Sequence, residues 1–409
     1  MMTNDILKII PEMKINLELE EQLRILPDYD ANIRIKPIPE RLIGLENIYR
    51  IYIPNKMSRE IYCKLYLALL HSLQKKQTIL ATKQANENYK RIKNQSYQSI
   101  LGNSDSFTIL GPSGVGKSSA ISRSISILTE MPVLEIGNSR IIPFLMIQMP
   151  ADCSVKGLLF EILRMVDETL NSNYYKNAIK NKRITVDVLI SIVSSTLLNH
   201  VGLLILDEVQ HLIHNKTGKT IIGTITQLIN TSGISICMVG TEESTFFFEQ
   251  ETVLARRSIG LSYSLMEYND DFRNFCKTVL SYCFVKIPPV VDESMLMWIY
   301  NHSRGNISIV INLIHDAQEI AILENLETLD ITTLNLAYER RLQMLHSFIS
   351  PPHKKVSTIR KPKTETLEIL TDYDETISIS KNSEEAKKTN SDVISLLKAN
   401  GISITEVLI

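Results

Sequence analysis

The sequence predicts an α/β protein in which an open parallel sheet, flanked by helices, is followed by a small helical lid and a flexible tail. Three features predict this class. A glycine-rich turn separates an apolar run from an amphipathic segment, apolar runs then alternate with helical segments as far as residue 240, and residues 265–348 have a wholly helical pattern. Strands that alternate with helices form parallel sheets, and such sheets bind ligands at the carboxyl ends of their strands.

The glycine-rich turn has the spacing GxxxxGK[ST] and follows the apolar residues 107–110. With this spacing, small residues let the backbone curl until successive N–H groups and a helix N-terminus point at one anion. We expect Lys117 to reach the β- and γ-phosphates of a nucleotide and the Ser118 hydroxyl to bind Mg²⁺. The alternative is an ordinary surface turn, which the strand before it and the helix after it disfavour. The residues predicted to hold the phosphates are Gly111, Pro112, Ser113, Gly114, Val115, Gly116, Lys117, Ser118 and Ser119.

Asp207 and Glu208 follow the continuous apolar run 201–206, which is typical of a buried parallel strand. We expect this strand to lie beside the strand that enters the phosphate loop. Asp207 would then hold hydrated Mg²⁺, and Glu208 would orient and deprotonate an attacking water. A strand that merely ends in acids is the alternative, but together with the phosphate loop the pair favours ATP hydrolysis.

Four further residues are candidates for contact with the nucleotide. Thr241 ends the next apolar run, where its hydroxyl can meet the γ-phosphate, although a plain threonine at a strand end fits the same pattern. Arg256 and Arg257 suit an arginine finger offered to a neighbouring subunit, or an ordinary surface pair. Arg304 is expected to open a lid helix and to sense the nucleotide, with a solvated arginine as the alternative.

Composition limits the classes of protein that fit. The chain has 409 residues, 44% of them apolar, and a formal net charge of −1, so no overall positive field indicates a nucleic-acid partner. Five scattered cysteines without CxxC spacing predict neither a disulfide framework nor a zinc site. No apolar run approaches the ~20 residues of a membrane span, and the N-terminus is unlike a secretory leader, so we expect a cytoplasmic protein without membrane contact.

Changes in composition along the chain predict five segments. Within the second, a leading helix over 57–76 would bury Ile61, Leu65, Leu69 and Leu73 on one face. Basic residues between 74 and 98 fit a solvated helical face better than a nucleic-acid contact. The segments are an N-terminal partner-docking arm (1–50), an α/β nucleotide-binding domain (51–264), a helical lid (265–348), a disordered linker (349–390) and a C-terminal peptide (391–409) that either binds a partner or is disordered.

Several stretches together resemble a known family. GPSGVGKSS, LLILDEVQHL, VGTEES and LARRSIG resemble the motifs of AAA+ ATPases. PADCSVKGLLFEILRMVDETLNSNYY, TITQLINTSGISICMVGT and SRGNISIVINLIHDAQEIAI are similar to the TnsC/TniB family of transposition regulators, over residues 42–345. The resemblance implies ATP and Mg²⁺ as cofactors, a ring or filament of identical subunits around duplex DNA, a TniQ/TnsD-type target selector, and recruitment of a DDE transposase.

The resemblance also implies where DNA is contacted. In the family, the contacts lie on the loop and helix start after the second strand, which here are residues 154–156. Ser154 and Lys156 are therefore the DNA-contact candidates, with a first-turn lysine of no special role as the alternative. Two other functions remain open: another AAA+ machine such as a helicase loader, and a nucleotide-locked assembly scaffold with little hydrolysis.

Overall fold

The computed structural model describes residues 10–76, 78–93, 106–136, 139–150, 154–212, 218–245 and 260–346, which belong to one compact unit. The predicted linker 349–390, the predicted peptide 391–409, and both Arg256 and Arg257 lie outside the described residues. Among the helices in these ranges, none combines the length and apolar content needed to cross a bilayer.

A six-stranded sheet forms the centre of the molecule. Its strands are β1 (Phe107–Leu110), β2 (Leu134–Ile136), β3 (Ser139–Gln148), β4 (Val201–Asp207), β5 (Ser235–Gly240) and β6 (Leu261–Ser262). They lie in the order β2-β3-β4-β5-β1-β6, and each neighbouring pair is parallel except β2 with β3. The predicted open parallel sheet is confirmed, with one correction: β2 turns back on β3 as an antiparallel strand.

The position of β4 corrects a second expectation. We expected β4 beside β1, but β5 pairs with both strands and separates them. A continuous apolar run shows that a strand is buried on both faces, not which strands flank it. This order places the end of β5, and with it Thr241, between the phosphate loop and the acidic end of β4.

Helices cover both faces of the sheet. On one face, alternate β4 residues Leu203 and Ile205 pack with the helix Lys56–Lys76, whose Ile61, Leu65 and Leu69 are fully buried. Leu204 and Leu206 point to the opposite face, against the helices Val155–Leu170, Val186–His200 and Gly218–Ser232. The helices before the lid are α1 (Asn16–Leu23), α2 (Ile38–Leu45), α3 (Lys56–Lys76), α4 (Ile79–Ile92), α5 (Lys117–Leu128), α6 (Val155–Leu170), α7 (Tyr174–Lys180), α8 (Val186–His200) and α9 (Gly218–Ser232).

The lid consists of α10 (Asp270–Ser281), α11 (Glu293–Ser303), α12 (Ile307–Leu323) and α13 (Ile331–Arg341). Short 3₁₀ turns at Ala31–Ile35, Glu46–Arg50, Val209–Leu212, Glu242–Ser244 and Gln343–Leu345 link the longer elements. The N-cap side chains Asn269, Asp292, Asn306 and Asp330 each accept a backbone N–H at the start of a lid helix.

The segment predicted to be a partner-docking arm is folded onto the rest of the chain. Leu19 and Leu23 of α1 are buried beside α3, and Leu45 and Ile48 lie in the core of the lid. Arg41 forms a two-fold ion pair with Glu327, at 2.6 and 2.8 Å. Residues 10–50 therefore pack into the cores of the sheet and the lid, and partner docking by this segment stays a prediction.

The basic stretch 74–93 divides between solvent and core. Lys83 and Lys90 on α4 are exposed, as a solvated face requires. Arg91 is 7% exposed and pairs with Asp187 of α8 at 3.2 Å, beside the buried Asn88. One cation of the predicted surface thus fixes α4 to the helices that cover the sheet.

Candidate functional site

A cavity of about 340 Å³ opens at the carboxyl ends of β4 and β5. The phosphate loop forms its floor, residues 49–58 form one wall, and the start of α12 closes the lid side. Seven of the nine predicted loop residues line it, namely Ser113, Gly114, Val115, Gly116, Lys117, Ser118 and Ser119. The other two, Gly111 and Pro112, contribute backbone carbonyls that hold Lys117.

Two loop glycines have a conformation that other residues rarely adopt. Gly114 has φ 80° and Gly116 has φ 99°, both in the left-handed region. Gly116 is the N-cap of α5, so the first N–H groups of that helix, which have no intrahelical partners, face the loop. A side chain on Gly114 would also approach Asn306 Oδ1 to 2.5 Å. The loop therefore presents backbone donors and the positive end of a helix dipole to one point.

The Lys117 ammonium is folded back over the loop. Its Nζ donates to the carbonyl oxygens of Gly111 at 2.7 Å and Pro112 at 2.9 Å, and the residue is 9% exposed. Burial lowers the pKa of Lys117, while the nearby carboxylates of Asp207 and Glu208 oppose that shift. A desolvated cation held by two carbonyls is suited to exchange them for the oxygens of an anionic ligand.

The two predicted metal ligands lie together although β5 separates their strands. Ser118 Oγ donates to Asp207 Oδ2 at 3.0 Å, and Asp207 is 4% exposed. The other oxygen of Asp207 accepts the backbone N–H of Glu208 at 2.8 Å. A hydroxyl and a carboxylate oxygen at this separation fit adjacent ligands of octahedral Mg²⁺, which lie about 2.9 Å apart when each bond is about 2.05 Å.

Glu208 and Thr241 face the cavity from neighbouring strand ends, with Gln210 between them. Glu208 has φ 59°, a left-handed conformation that costs a residue with a side chain roughly 1–2 kcal/mol. The Gln210 side chain donates to Glu208 Oε2 and accepts the Thr241 backbone N–H at 3.3 Å. The Thr241 hydroxyl is buried and has no hydrogen-bond partner within the described ranges.

The lid contacts the phosphate loop through the start of α12. Asn306 Nδ2 donates to the Ser113 carbonyl at 2.9 Å, while its Oδ1 accepts the N–H groups of Ser308 and Ile309 as a helix cap. The Ser308 N–H also lies 3.1 Å from the Gly114 carbonyl. Neither Asn306 nor Gln210 was predicted from the sequence. The only signals were a capping asparagine before an apolar helix and an amide two residues after Glu208.

Arg304 does not open a lid helix as expected. It ends α11 with φ 52°, and α12 begins three residues later at Ile307, because Gly305 and the Asn306 cap separate the two helices. Arg304 is exposed and is not among the residues that line the cavity. Its assignment as a nucleotide sensor stays a prediction.

The predicted DNA-contact residues lie at the start of α6. The Ser154 hydroxyl caps this helix by accepting the Gly157 N–H at 2.8 Å. Lys156 is exposed and donates to the Ile184 carbonyl at 2.9 Å, which ties the start of α6 to the loop before α8.

The strand order, the phosphate loop and the helical lid define a AAA+ P-loop fold. A family model described as "Bacterial TniB protein" matches residues 68–261 of this chain. The match contains the phosphate loop, Asp207, Glu208 and Thr241, and it ends before the lid.

Three solved structures of ORC proteins are similar to this chain at a low level. The Aeropyrum pernix ORC1 protein in complex with DNA is 15% identical, with a TM-score of 0.40 and 64% of each chain covered. The Aeropyrum pernix ORC2 protein with ADPNP and ADP is 14% identical, with a TM-score of 0.38 and coverage of 64% of this chain and 66% of that one. Drosophila ORC bound to DNA is 11% identical, with a TM-score of 0.43 and coverage of 80% and 69%. Similarity at this level does not bear on function. No curated protein sequence matches the chain.

Proposed function

We propose that this chain is an ATP-dependent, DNA-binding regulator of DNA transposition that hydrolyses ATP to control its own assembly. The observation that carries the proposal is the meeting of Lys117, Ser118, Asp207 and Glu208 at one cavity within the region that the TniB family model matches. A phosphate-binding loop, a pair of oxygen ligands for a metal and a carboxylate beside them are the parts that phosphoryl transfer to water requires.

The loop binds the triphosphate. Backbone N–H groups at the start of α5 and the Lys117 ammonium hold the phosphate oxygens, while Ser118 and Asp207 hold Mg²⁺. When bound, Mg²⁺ neutralises charge on the transferring phosphoryl group. Glu208 orients a water molecule and takes its proton, and the Thr241 hydroxyl donates to the γ-phosphate from the neighbouring strand end.

The cavity wall formed by residues 49–58 is evidence that the phosphates belong to a nucleotide, because it offers a surface for the nucleoside part of the ligand. Tyr49, Ile51 and Ile53 line the cavity on this side, and Ile311 of α12 lines it from the lid. This apolar surface suits the faces of a purine base, and the volume of about 340 Å³ lies at the lower end of the range for small-molecule sites. A base held here would join the N-terminal segment and the lid to one ligand.

Local positive charge near Lys156 supports contact with duplex DNA. Residues 174–186 contain four cations and no acid, and all four side chains are exposed. Within the described ranges none of the four forms an ion pair. Phosphate contacts repeated by each subunit of a ring or filament would sum, so binding should weaken steeply with salt despite the net charge of −1. The four cations are Lys176, Lys180, Lys182 and Arg183.

In this proposal the assembly links target selection to strand transfer. A TniQ/TnsD-type protein supplies the target-site signal, and the DNA-bound oligomer recruits a DDE transposase. Arg256 and Arg257 act as fingers on the nucleotide of a neighbouring subunit, and residues 1–50 and 391–409 dock partners. Similarity to the TniB family model supports these assignments. They do not rest on any contact among the described residues.

The test is Glu208→Gln. Loss of a general base slows reactions by about 100-fold or more, so ATP turnover should fall by that factor while ATP binding persists. Retained ATP should then cause long-lived oligomers to accumulate on duplex DNA, measured by electron microscopy and by sedimentation at rising salt. Lys277→Ala, an exposed residue of α10, is the control and should behave as wild type. Free monomers under saturating ATP and DNA would contradict the proposal.

A further inference from the structure

We propose that Gln210 is a positioning residue for hydrolysis, whose amide fixes the Glu208 carboxylate relative to Thr241. This inference rests on the proposed ATP hydrolysis and adds a residue to it. Gln210 lines the cavity directly beside both groups.

The chemistry of its neighbours fixes the orientation of the Gln210 amide. Gln210 Nε2 donates to Glu208 Oε2, and Gln210 Oε1 accepts the Thr241 N–H at 3.3 Å. A carboxylate only accepts and a backbone N–H only donates, so the reversed amide would oppose oxygen to oxygen and nitrogen to nitrogen. The Gln210 side chain therefore bonds to the Glu208 carboxylate and to the Thr241 N–H in a single orientation of its amide.

Gln210 joins the ends of two adjacent strands. Glu208 directly follows β4, Thr241 directly follows β5, and the two strands are paired in register, with Leu206 opposite Met238. The 3₁₀ turn Val209–Leu212 brings the amide across this gap. Space around it is small, because a side chain on Gly240 would lie 2.7 Å from Val209 Cγ2 and 3.1 Å from Gln210 Oε1. Because the Gln210 side chain is packed this closely, a shift at the end of β4 should also move the end of β5.

Glu208 depends on this bridge for its direction. Its left-handed backbone, at φ 59°, ends the regular strand, so the sheet no longer sets where the side chain points. In the described part of the chain, the Gln210 amide is the hydrogen-bond partner of the Glu208 carboxylate. The contact uses Oε2 and leaves Oε1 to accept a proton from water. Misplacing a reacting group by about 1 Å can cost about 100-fold in rate.

The first measurement is steady-state ATP turnover without DNA, together with nucleotide affinity from a fluorescent ATP analogue. For Gln210→Ala we expect kcat to fall by about 10-fold to 100-fold. Affinity should change by less than about threefold, since Lys117 and the loop backbone are untouched. Retained affinity also shows that the variant is folded. Gln210→Glu keeps the size and the acceptor but removes the donor, so it should be as slow as Gln210→Ala. The control is Gln148→Ala, an exposed glutamine at the end of β3 that does not line the cavity.

A double-mutant cycle separates positioning from a purely structural role. If Gln210 acts through Glu208, then Gln210→Ala combined with Glu208→Gln should be no slower than Glu208→Gln alone. Wild-type turnover in Gln210→Ala, or an equal further loss in the double variant, would overturn the inference. Failure of the wild-type chain to bind or hydrolyse ATP would overturn the proposed function itself, which the wild-type measurement records separately.

Discussion

The phosphate end of the cavity and the junction between residues 27–50 and the lid are held together in opposite ways. At the phosphate end, Lys117 bonds to carbonyls only five and six residues away. At the junction, Arg41 pairs with Glu327 and Tyr29 donates to the Cys283 carbonyl, across separations of 286 and 254 residues. The Lys117 ammonium is thus held within one short contiguous motif, whereas Arg41 and Tyr29 are held by contacts between distant parts of the chain.

The two regions also differ in the partners of their buried cations. At the junction, both Arg41 Nη atoms are paired with the Glu327 carboxylate, while Arg41 Nε has no hydrogen-bond partner among the described residues. At the cavity, Lys117 donates to backbone carbonyls, and the Thr241 hydroxyl has no partner among the described residues. The charged pair holds two distant segments together, whereas the ammonium and the hydroxyl have no charged partner to give up when a ligand binds.

The largest expected effect separates binding from stability. Lys117→Ala removes charged contacts to phosphate worth roughly 1.5–3 kcal/mol each, so nucleotide affinity should fall more than about 100-fold. The free energy of unfolding without nucleotide should stay the same or rise, because the ammonium is desolvated in the folded chain. Calorimetric titration and urea unfolding measure the two quantities, with Lys277→Ala as the exposed control. A large loss of stability in Lys117→Ala would show that Lys117 stabilises the fold as Arg41 does, and would contradict the difference between the two regions.

The reverse result is expected at the junction. Arg41→Met leaves the Glu327 carboxylate without its main partner, so the free energy of unfolding should fall by about 3–5 kcal/mol. Arg340→Met, which breaks the half-exposed pair of Arg340 with Glu324, should cost less than about 1 kcal/mol. Equal losses in the two variants, measured by urea unfolding, would show that the junction pair adds nothing beyond a surface contact.

A smaller effect is expected where the lid contacts the loop. Asn306→Ala removes the cap of α12 and the bond to the Ser113 carbonyl, and should cost about 1–2 kcal/mol of stability. Asn306→Asp keeps the cap but places an acceptor against the Ser113 carbonyl. The aspartate variant should therefore retain most of the stability while binding ATP more weakly, as measured by thermal unfolding and titration. Identical behaviour of the two variants would mean that only the cap matters.

The smallest effect is a pH dependence from the junction. The hydrogen-bonded Arg41 guanidinium lowers the pKa of Glu327 to about 2, below the ordinary carboxyl value of about 4.3. The ionised Glu327 carboxylate contributes fully to stability above its pKa in the unfolded chain. This contribution is lost as the pH falls through its pKa in the folded chain. Between pH 6 and 3.5, wild type should lose roughly 1 kcal/mol more than Glu327→Gln in urea unfolding. Parallel curves for the two proteins would contradict this assignment.

The contrast explains how far the sequence alone predicts the molecule. The strand Phe107–Leu110, the loop glycines and the start of α5 at Lys117 follow from local spacing and appear as expected. The approach of Ser118 to Asp207 spans 89 residues, yet it was predictable because both residues follow parallel strands at one sheet edge.

Contacts between residues that are distant in the sequence could not be predicted from local spacing. The insertion of β5 between β1 and β4, the packing of Leu45 into the lid and the burial of Arg91 depend on which distant surfaces meet. Periodicity reports that a residue is buried, but not its partner. Gln210 and Asn306 were missed for the same reason, since their role lies in a contact across strands or between domains.

The central claim is that a nucleotide and Mg²⁺ bind where Lys117, Ser118 and Asp207 meet. The most direct test is calorimetric titration of the wild-type chain with ATP, with and without Mg²⁺. We predict saturable binding at one site that Mg²⁺ tightens by about tenfold or more, equal to about 1.4 kcal/mol, and a Mg²⁺ effect that is largely lost in Ser118→Ala. No detectable ATP binding by the wild-type chain, or an undiminished Mg²⁺ effect in Ser118→Ala, would contradict the account.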